Sequence, residues 1–377
     1  MSPVVKEPTM TASTATRLLS AGALGAALAG CSGAAQLAPA GGLGAQSVAR
    51  KPATQSARQP AAGDLFASAG AVAFASRQLR LPGESTGFES TGPKASTGDS
   101  ILFISASMSG SVYAYDLREQ QQIWGCSHCG GYGLATDPLD GNVAVATYED
   151  YSTPIVQVYT VNTQHVGLTG TFTINNNDAQ YALGLAFDAK GNLYASVTPS
   201  NQIVEFYAST IASRTGNPDR TYTLPDLAQA DYIATDGDKV VVDGVSKNND
   251  FIAVELTRKG DKVLNDYGSL TQKTGFPGGI AIDAKHNLTV NNQYGTLATY
   301  AAPWTGKPTA TLNWNPAQND YTGIALDPTQ TALYASDFSS EYDGIGIGNT
   351  YPLKSVTGLV TYPMAEIFLG ITVTRSN

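Results

Sequence analysis

From about residue 96 to the end of the chain, apolar and polar residues alternate with a period of two over short runs, and Gly, Asp, Asn or Pro interrupts the runs. SVYAYDL from Ser111, PIVQVYTV from Pro154, QIVEFYAS from Gln202, TLATYAA from Thr296 and LVTYP from Leu359 share the alternation and an aromatic residue near its end. FIAVEL from Phe251 keeps the alternation without the tyrosine. Period two puts every second side chain on one face of an extended strand. GTFTI from Gly170, RTYTL from Arg220 and TATLNW from Thr309 follow as further strands. No stretch in this region holds the 3.6-residue period long enough for a core helix, so the pattern predicts an all-β fold of short strands.

A longer period overlies the short one. Gly, two or three apolar residues, Asp, a polar turn and a strand recur as GLATDPLDGNVAVA from Gly133, GLAFDAKGNLYAS from Gly184 and YIATDGDKVVVDG from Tyr232. They return as GIAIDAKHNLTVNN from Gly279 and GIALDPTQTALYASD from Gly323. The steps are 51, 48, 47 and 44 residues, the range of a four-stranded propeller blade. ILFISA from Ile101 matches a second strand with no first strand before it, and Gly370 to Thr374 matches a first strand with no second after it. The C-terminal strand is therefore expected to complete blade one, which removes open sheet edges at the junction. The expectation is a six-bladed β-propeller of four-stranded blades over 96–377.

These repeats resemble the NHL and YVTN-type propellers, through the Gly-Ile-Ala-x-Asp … Asn-Leu-Tyr-Val-Ala pattern. The resemblance implies the fold and no single activity, because such rings host enzymes, sensors and binding modules alike.

The N-terminal region departs from the alternation. Residues 18 to 30 (LLSAGALGAALAG) form an uncharged apolar run between Arg17 and Cys31. It is too short to span a bilayer and has the length, basic flank and small-residue end of a signal peptide. Leu28-Ala29-Gly30-Cys31 resembles a bacterial lipobox, which implies cleavage before Cys31 and lipid on its thiol. Ser32 after the cysteine resembles the pattern that permits outer-membrane sorting in a cell with two membranes. Translation from Met10 gives a more compact signal peptide than from Met1. Residues 1–31 are thus read as a lipoprotein signal peptide. Residues 32–95, rich in Ala, Gly, Ser, Thr, Gln and Pro, are read as a flexible tether that cannot bury enough apolar surface to offset chain entropy. The expected location is the extracytoplasmic face of the cell envelope, with the membrane met through the lipid alone.

Composition narrows the function. Charged residues are 14% of the chain, the formal net charge is −9 and the sequence pI is near 4.8, which excludes a nucleic-acid partner that needs a basic surface. Outside the signal peptide only Cys126 and Cys129 remain, in a Cys-Ser-His-Cys loop between a fourth and a first strand. In an exported protein this pair is expected as a local disulfide, since it lacks the haem-attachment spacing and supplies half a zinc site.

The repeated Asp137, Asp188, Asp236, Asp283 and Asp327 stand at turns between first and second strands, where Asp caps its own turn through backbone amides. The opposite face gathers acidic, amide and aromatic residues: Tyr148 to Tyr151, Asn175 to Asp178, Asp226, Asp231, Asn248 to Asp250, Asn319, Asp320 and an insertion from Asp337 to Thr357. Within it Asp150, Asn291, Asn292, Asp337, Glu341, Tyr342 and Asp343 are the candidate ligand-binding residues for a protein, glycan or small molecule. No Gly-x-Ser-x-Gly elbow occurs, and His165 and His286 stand in turns without a nearby nucleophile pattern. The expectation is a monomeric, non-catalytic binding module. The alternative is a metal-dependent hydrolase or lactonase resembling the gluconolactonase-type propellers, with a divalent cation such as calcium held by Asp337, Asn291 and Asn292. The Glu-Gly-Pro entry motif of that family is absent here.

Overall fold

The repeats from Gly133, Gly184, Tyr232, Gly279 and Gly323 each place an innermost strand ahead of the aspartate. A computed structural model describes residues 98–375, apart from 108, 120, 149–152, 162–165, 175–180, 249, 258, 267–276, 293–295, 314–320, 338–343, 349–357 and 362–367. Cys31 and the tether therefore lie outside the described residues, as do Asp150, Glu341, Tyr342 and Asp343. All described residues belong to one compact unit, 58–377.

Among the described residues the strands pair into six sheets. The first holds β1 (Ser100–Ala106), β2 (Ser111–Asp116) and β3 (Gln121–Cys126), with β25 (Phe368–Arg375) on the inner side of β1. The second holds β4 (Leu134–Thr136), β5 (Val143–Tyr148), β6 (Pro154–Val161) and β7 (Val166–Thr173). The third holds β8 (Leu185–Phe187), β9 (Leu193–Val197), β10 (Gln202–Phe206) and β12 (Arg220–Thr223). The fourth runs β13 (Leu227–Asp236), β14 (Lys239–Ser246), β15 (Phe251–Thr257) and β16 (Gly260–Asp266). The fifth runs β17 (Pro277–Ile282), β18 (Leu288–Asn292), β19 (Thr296–Tyr300) and β20 (Ala310–Asn313). The sixth runs β21 (Tyr321–Leu326), β22 (Leu333–Asp337), β23 (Gly344–Gly348) and β24 (Gly358–Thr361). Neighbours within these four-strand sets are antiparallel; β25 meets β1 with Ile104 opposite Ile371. The architecture is an all-β propeller.

One short helix, α1 (Ala208–Ala212), interrupts the third sheet before its outer strand. Just after it β11 (Thr215–Gly216) adds in parallel to β7. The Thr171 amide donates to the Arg214 carbonyl at 2.9 Å, so this segment covers part of an outer edge that would otherwise be open to pairing. No described helix is long and apolar enough to cross a membrane.

The inner strands read as nearly unbroken apolar runs because both of their faces are covered. Ile101 and Phe103 of β1 pack into a core with Val143, Val145 and Tyr159 of the second sheet. Their neighbours Leu102 and Ile104 pack instead with Ala325 and Tyr334 of the sixth. Trp124 sits between Phe103 and Tyr159, with ring centroids 6.1 and 5.8 Å away. The third and fourth sheets share a core containing Ile203, Leu224, Val242 and Val254, and the fifth and sixth share one containing Leu297, Leu333 and Ala335. Each sheet is thus one slice of a continuous apolar packing, and its outer strands carry the polar residues.

Adjacent innermost strands approach so closely that some positions have no room for a side chain. A Cβ on Gly184 would overlap the backbone of the fourth sheet, 2.7 Å from the Ile233 amide nitrogen and from the Tyr232 Cα. Gly279 stands similarly against Ile324, and Gly370 against Tyr132 and Leu134. Gly237 is different: nothing lies within 4 Å of its missing Cβ, and its φ of +61° is the reason glycine turns the β13–β14 hairpin. Gly184→Ala should therefore lower unfolding stability by about 3 kcal/mol, because backbone cannot step aside. Gly237→Ala should cost about 1 kcal/mol, the penalty of a left-handed alanine. Urea unfolding of the two variants checks the order.

Candidate functional site

The six innermost strands, β4, β8, β13, β17, β21 and β25, enclose a cavity of about 780 Å³. Its walls are successive rings: Leu134, Leu185, Ile233, Ile280, Ile324 and Ile371, then Ala135, Ala186, Ala234, Ala281, Ala325 and Thr372. Its rim lies on the turn face and includes Asp137, Asp140, Asp327 and Arg375. A narrower space of about 40 Å³ continues past the aliphatic ring and is bordered by Gly184, Gly279, Gly323, Gly370 and Tyr232. This cavity thus opens among the first-to-second-strand turns.

Four of the five repeated aspartates serve their turns. Asp188 Oδ1 accepts from the Lys190 and Asn192 amides at 2.8 and 2.9 Å. Asp283 Oδ1 does the same for Lys285 and Asn287 at 2.9 and 2.7 Å. Asp137 accepts from the Leu139 amide at 2.9 Å, while burial pushes its carboxyl above the usual range. Asp327 accepts from the amides of Thr329, Thr331 and Ala332. Asp236 corrects the expectation: its carboxylate pairs with His286 Nδ1 of the next sheet at 2.7 Å. The two-residue hairpin at Gly237 leaves no longer loop for it to cap.

Of the seven candidate ligand residues, Asn291, Asn292 and Asp337 lie among the described residues. Asn291 was expected on an open loop, yet it lies inside β18 at 1% exposure. Its Nδ2 donates to the Thr322 carbonyl of the sixth sheet at 2.8 Å, which makes it a link between sheets. Asn292 closes β18 opposite Pro277 and Thr296. Asp337 ends β22 opposite Tyr321. Cys126 ends β3, and Cys129 follows in the loop to β4. The two are joined with Cα atoms 5.9 Å apart and are both buried, a separation that fits a disulfide. His128 between them has a φ of 65°.

The structure instead draws attention to a pair that straddles the β13–β14 register shift. In β13 the ladder slips between Ala230 and Ile233, so Asp231 and Tyr232 face Asp243 of β14. Both aspartates are fully buried. Gln229 Nε2 donates to Asp231 Oδ1 at 2.7 Å, and the Tyr232 amide donates to Asp243 Oδ1 at 2.9 Å. The second oxygen of each carboxyl, Oδ2, has no hydrogen-bond partner. Around them lie Tyr181, stacked on Tyr132 at 5.2 Å, and Tyr232, beside Thr322. Burial, opposed only in part by Gln229, pushes the Asp231 carboxyl up to about 7. Burial and then the Asp231 charge push Asp243 well above the carboxylate range. Asp231 stood among the loop residues read from sequence; Asp243 did not. Its signal was a carboxylate inside the apolar run VVVDG, where the other repeats place Ala146, Ser196, Asn291 and Ser336.

Both carboxyls titrate higher in the fold than in the unfolded chain, so between about pH 4 and the raised values the folded form binds more protons. Their contribution to stability is full below about pH 4. It is lost as pH rises through about 7 for Asp231, and higher still for Asp243. In EDTA the melting temperature should fall across that window, and Asp243→Ser should flatten the fall; parallel profiles would contradict the buried pair. For the cysteines, the unreduced protein should take no thiol label, and reduction should lower stability by about 2 kcal/mol, the chain-entropy value for so short a loop.

No protein-family model matches the chain, and no curated protein matches it. Solved structures do resemble it. A chain of the nidogen–laminin complex aligns with a TM-score of 0.55 and 15% identity, over 74% of this chain and all of that one. A protein of unknown function from Bacteroides caccae aligns at 0.52 and 11%, over 74% and 100%. A streptogramin B lyase aligns at 0.50 and 12%, over 75% and 88%. At these identities the likeness is one of fold: the chain is similar to β-propellers whose named roles differ from one another.

Proposed function

We propose that this chain is a lipid-anchored, cell-envelope propeller of the NHL/YVTN-repeat kind that works as a non-catalytic binding module. The six sheets are its blades, β25 closes the ring against β1, and Cys31 carries the lipid. It is a monomer that takes a protein, glycan or small molecule on its acidic loop face. One observation carries the reading: the described carboxylates at the rim of the large cavity hold turn amides, as Asp327 holds those of Thr329 and Thr331. The walls are left to strand edges and aliphatic side chains. The rigid strands present variable loops at their other ends, and loops carried on such a scaffold are where binding residues concentrate.

The test uses the full chain. Wild type should turn over no member of a lactone and ester panel with calcium, magnesium or manganese present. Replacing residues 338–343 with a Gly/Ser linker of equal length, which leaves β23 (Gly344–Gly348) in its sheet, should weaken capture of envelope glycans or peptides at least tenfold while the melting temperature holds. Cation-dependent turnover that disappears in Asp337→Ala would overturn the binding reading in favour of the metal-dependent hydrolase. The anchor is checked separately: a fatty-acid label should enter the wild type and be absent from Cys31→Ala.

A further inference from the structure

The Asp231–Asp243 pair departs from the repeat at two positions at once. The residue before the ring glycine is Tyr132, Leu183, Gly278, Thr322 or Leu369 in the other sheets, and Asp231 here. The second-strand residue opposite is Ser105, Ala146, Ser196, Asn291 or Ser336 elsewhere, and Asp243 here. The architecture needs only a short acceptor at that second position. Ser196 Oγ accepts from the Gly184 amide at 2.9 Å, and Ser336 Oγ from the Gly323 amide at 2.9 Å. Asp243 Oδ1 does the same work for Tyr232. The turn, the ladder and the sheet contact are therefore satisfied by one oxygen, and Asp243 Oδ2 has no structural duty.

Two buried carboxylates need a counter-charge, because the desolvation of each is worth several kcal/mol. Among the described residues no Lys, Arg or His forms an ion pair with either. The donors that do reach them, the Gln229 amide and the Tyr232 N–H, are neutral and hold one oxygen of each carboxylate in place. Both Oδ2 atoms are buried and unpartnered. Carboxylate oxygens held in this way are the ligands that hard divalent cations take.

We infer that Asp231 Oδ2 and Asp243 Oδ2 are the two anionic ligands of a buried site for one hard divalent cation, magnesium or calcium, at the β13–β14 bulge. The site lies within the β13–β14 ladder and does not depend on what the loops bind. The cation ties the middle of β13 to β14 where the fourth sheet has Tyr232 in place of a ring glycine.

The experiment takes the full chain, removes metal with EDTA, and titrates magnesium or calcium chloride at constant ionic strength and pH 7.5. The expected result is one equivalent of bound metal per chain and a saturable rise in melting temperature, about 5 °C at a hundredfold excess over Kd. Asp243→Ser, which keeps the amide acceptor used by two other sheets, should fold and lose both the bound metal and the shift. Asp231→Leu, the residue of the third sheet, should do the same. Absence of bound metal and of any shift in wild type overturns the proposal and leaves protons as the neutralising charge. A shift that survives in both variants overturns it by placing the cation elsewhere.

Discussion

The closeness of the innermost strands is the constraint on which the rest of this protein depends. Where neighbouring sheets converge, backbone meets backbone at Gly184 and Ile233, at Gly279 and Ile324, and at Gly370 and Tyr132. No side chain fits between them, so the repeat opens on glycine at these places before its apolar run begins. The aliphatic ring of Leu134, Leu185, Ile233, Ile280, Ile324 and Ile371 follows directly and surrounds the inner end of the cavity. Each strand then gives alternate residues to the cores on its two sides, as Ile101 and Leu102 do. Convergence at the centre thereby fixes both the cavity and the two-sided burial of the inner strands.

The fourth sheet departs from this pattern at one residue. It places Tyr232 where glycine stands elsewhere, at a bulge that the fifth and sixth sheets share, with two residues of the inner strand facing one of the next. A bulge re-aims side chains. Here it turns Asp231 and Asp243 into the same buried space, next to the stacked Tyr132 and Tyr181. The fourth sheet, whose repeat opens on Tyr232 instead of glycine, is the one with two carboxylates in its interior.

Much of the scaffold was legible before any coordinates. Alternation marked the strands, the returning Gly-to-Asp unit marked the sheets, and turn chemistry assigned Asp188, Asp283 and Asp327 to their own backbone amides. The candidate site was legible only in part. Asn291 looked like a loop residue because Asn is common in loops, yet its amide bridges to the Thr322 carbonyl across a sheet boundary. Asp236 looked like its four counterparts, but its partner His286 is fifty residues away in the chain. Neither partner is visible to a local pattern.

The sequence by itself determined what depends on neighbours along the chain: period-two strands, turn residues, the repeat spacing and hence an all-β propeller. Tertiary structure alone decided what depends on residues brought together from different strands and sheets. It put the large cavity among the turns, made Asn291 a tie between sheets, and sealed two carboxylates at one bulge. The physical reason is that strand propensity and turn chemistry act over a few residues, whereas burial, close backbone approach and the environment of a carboxyl exist only once the sheets have packed.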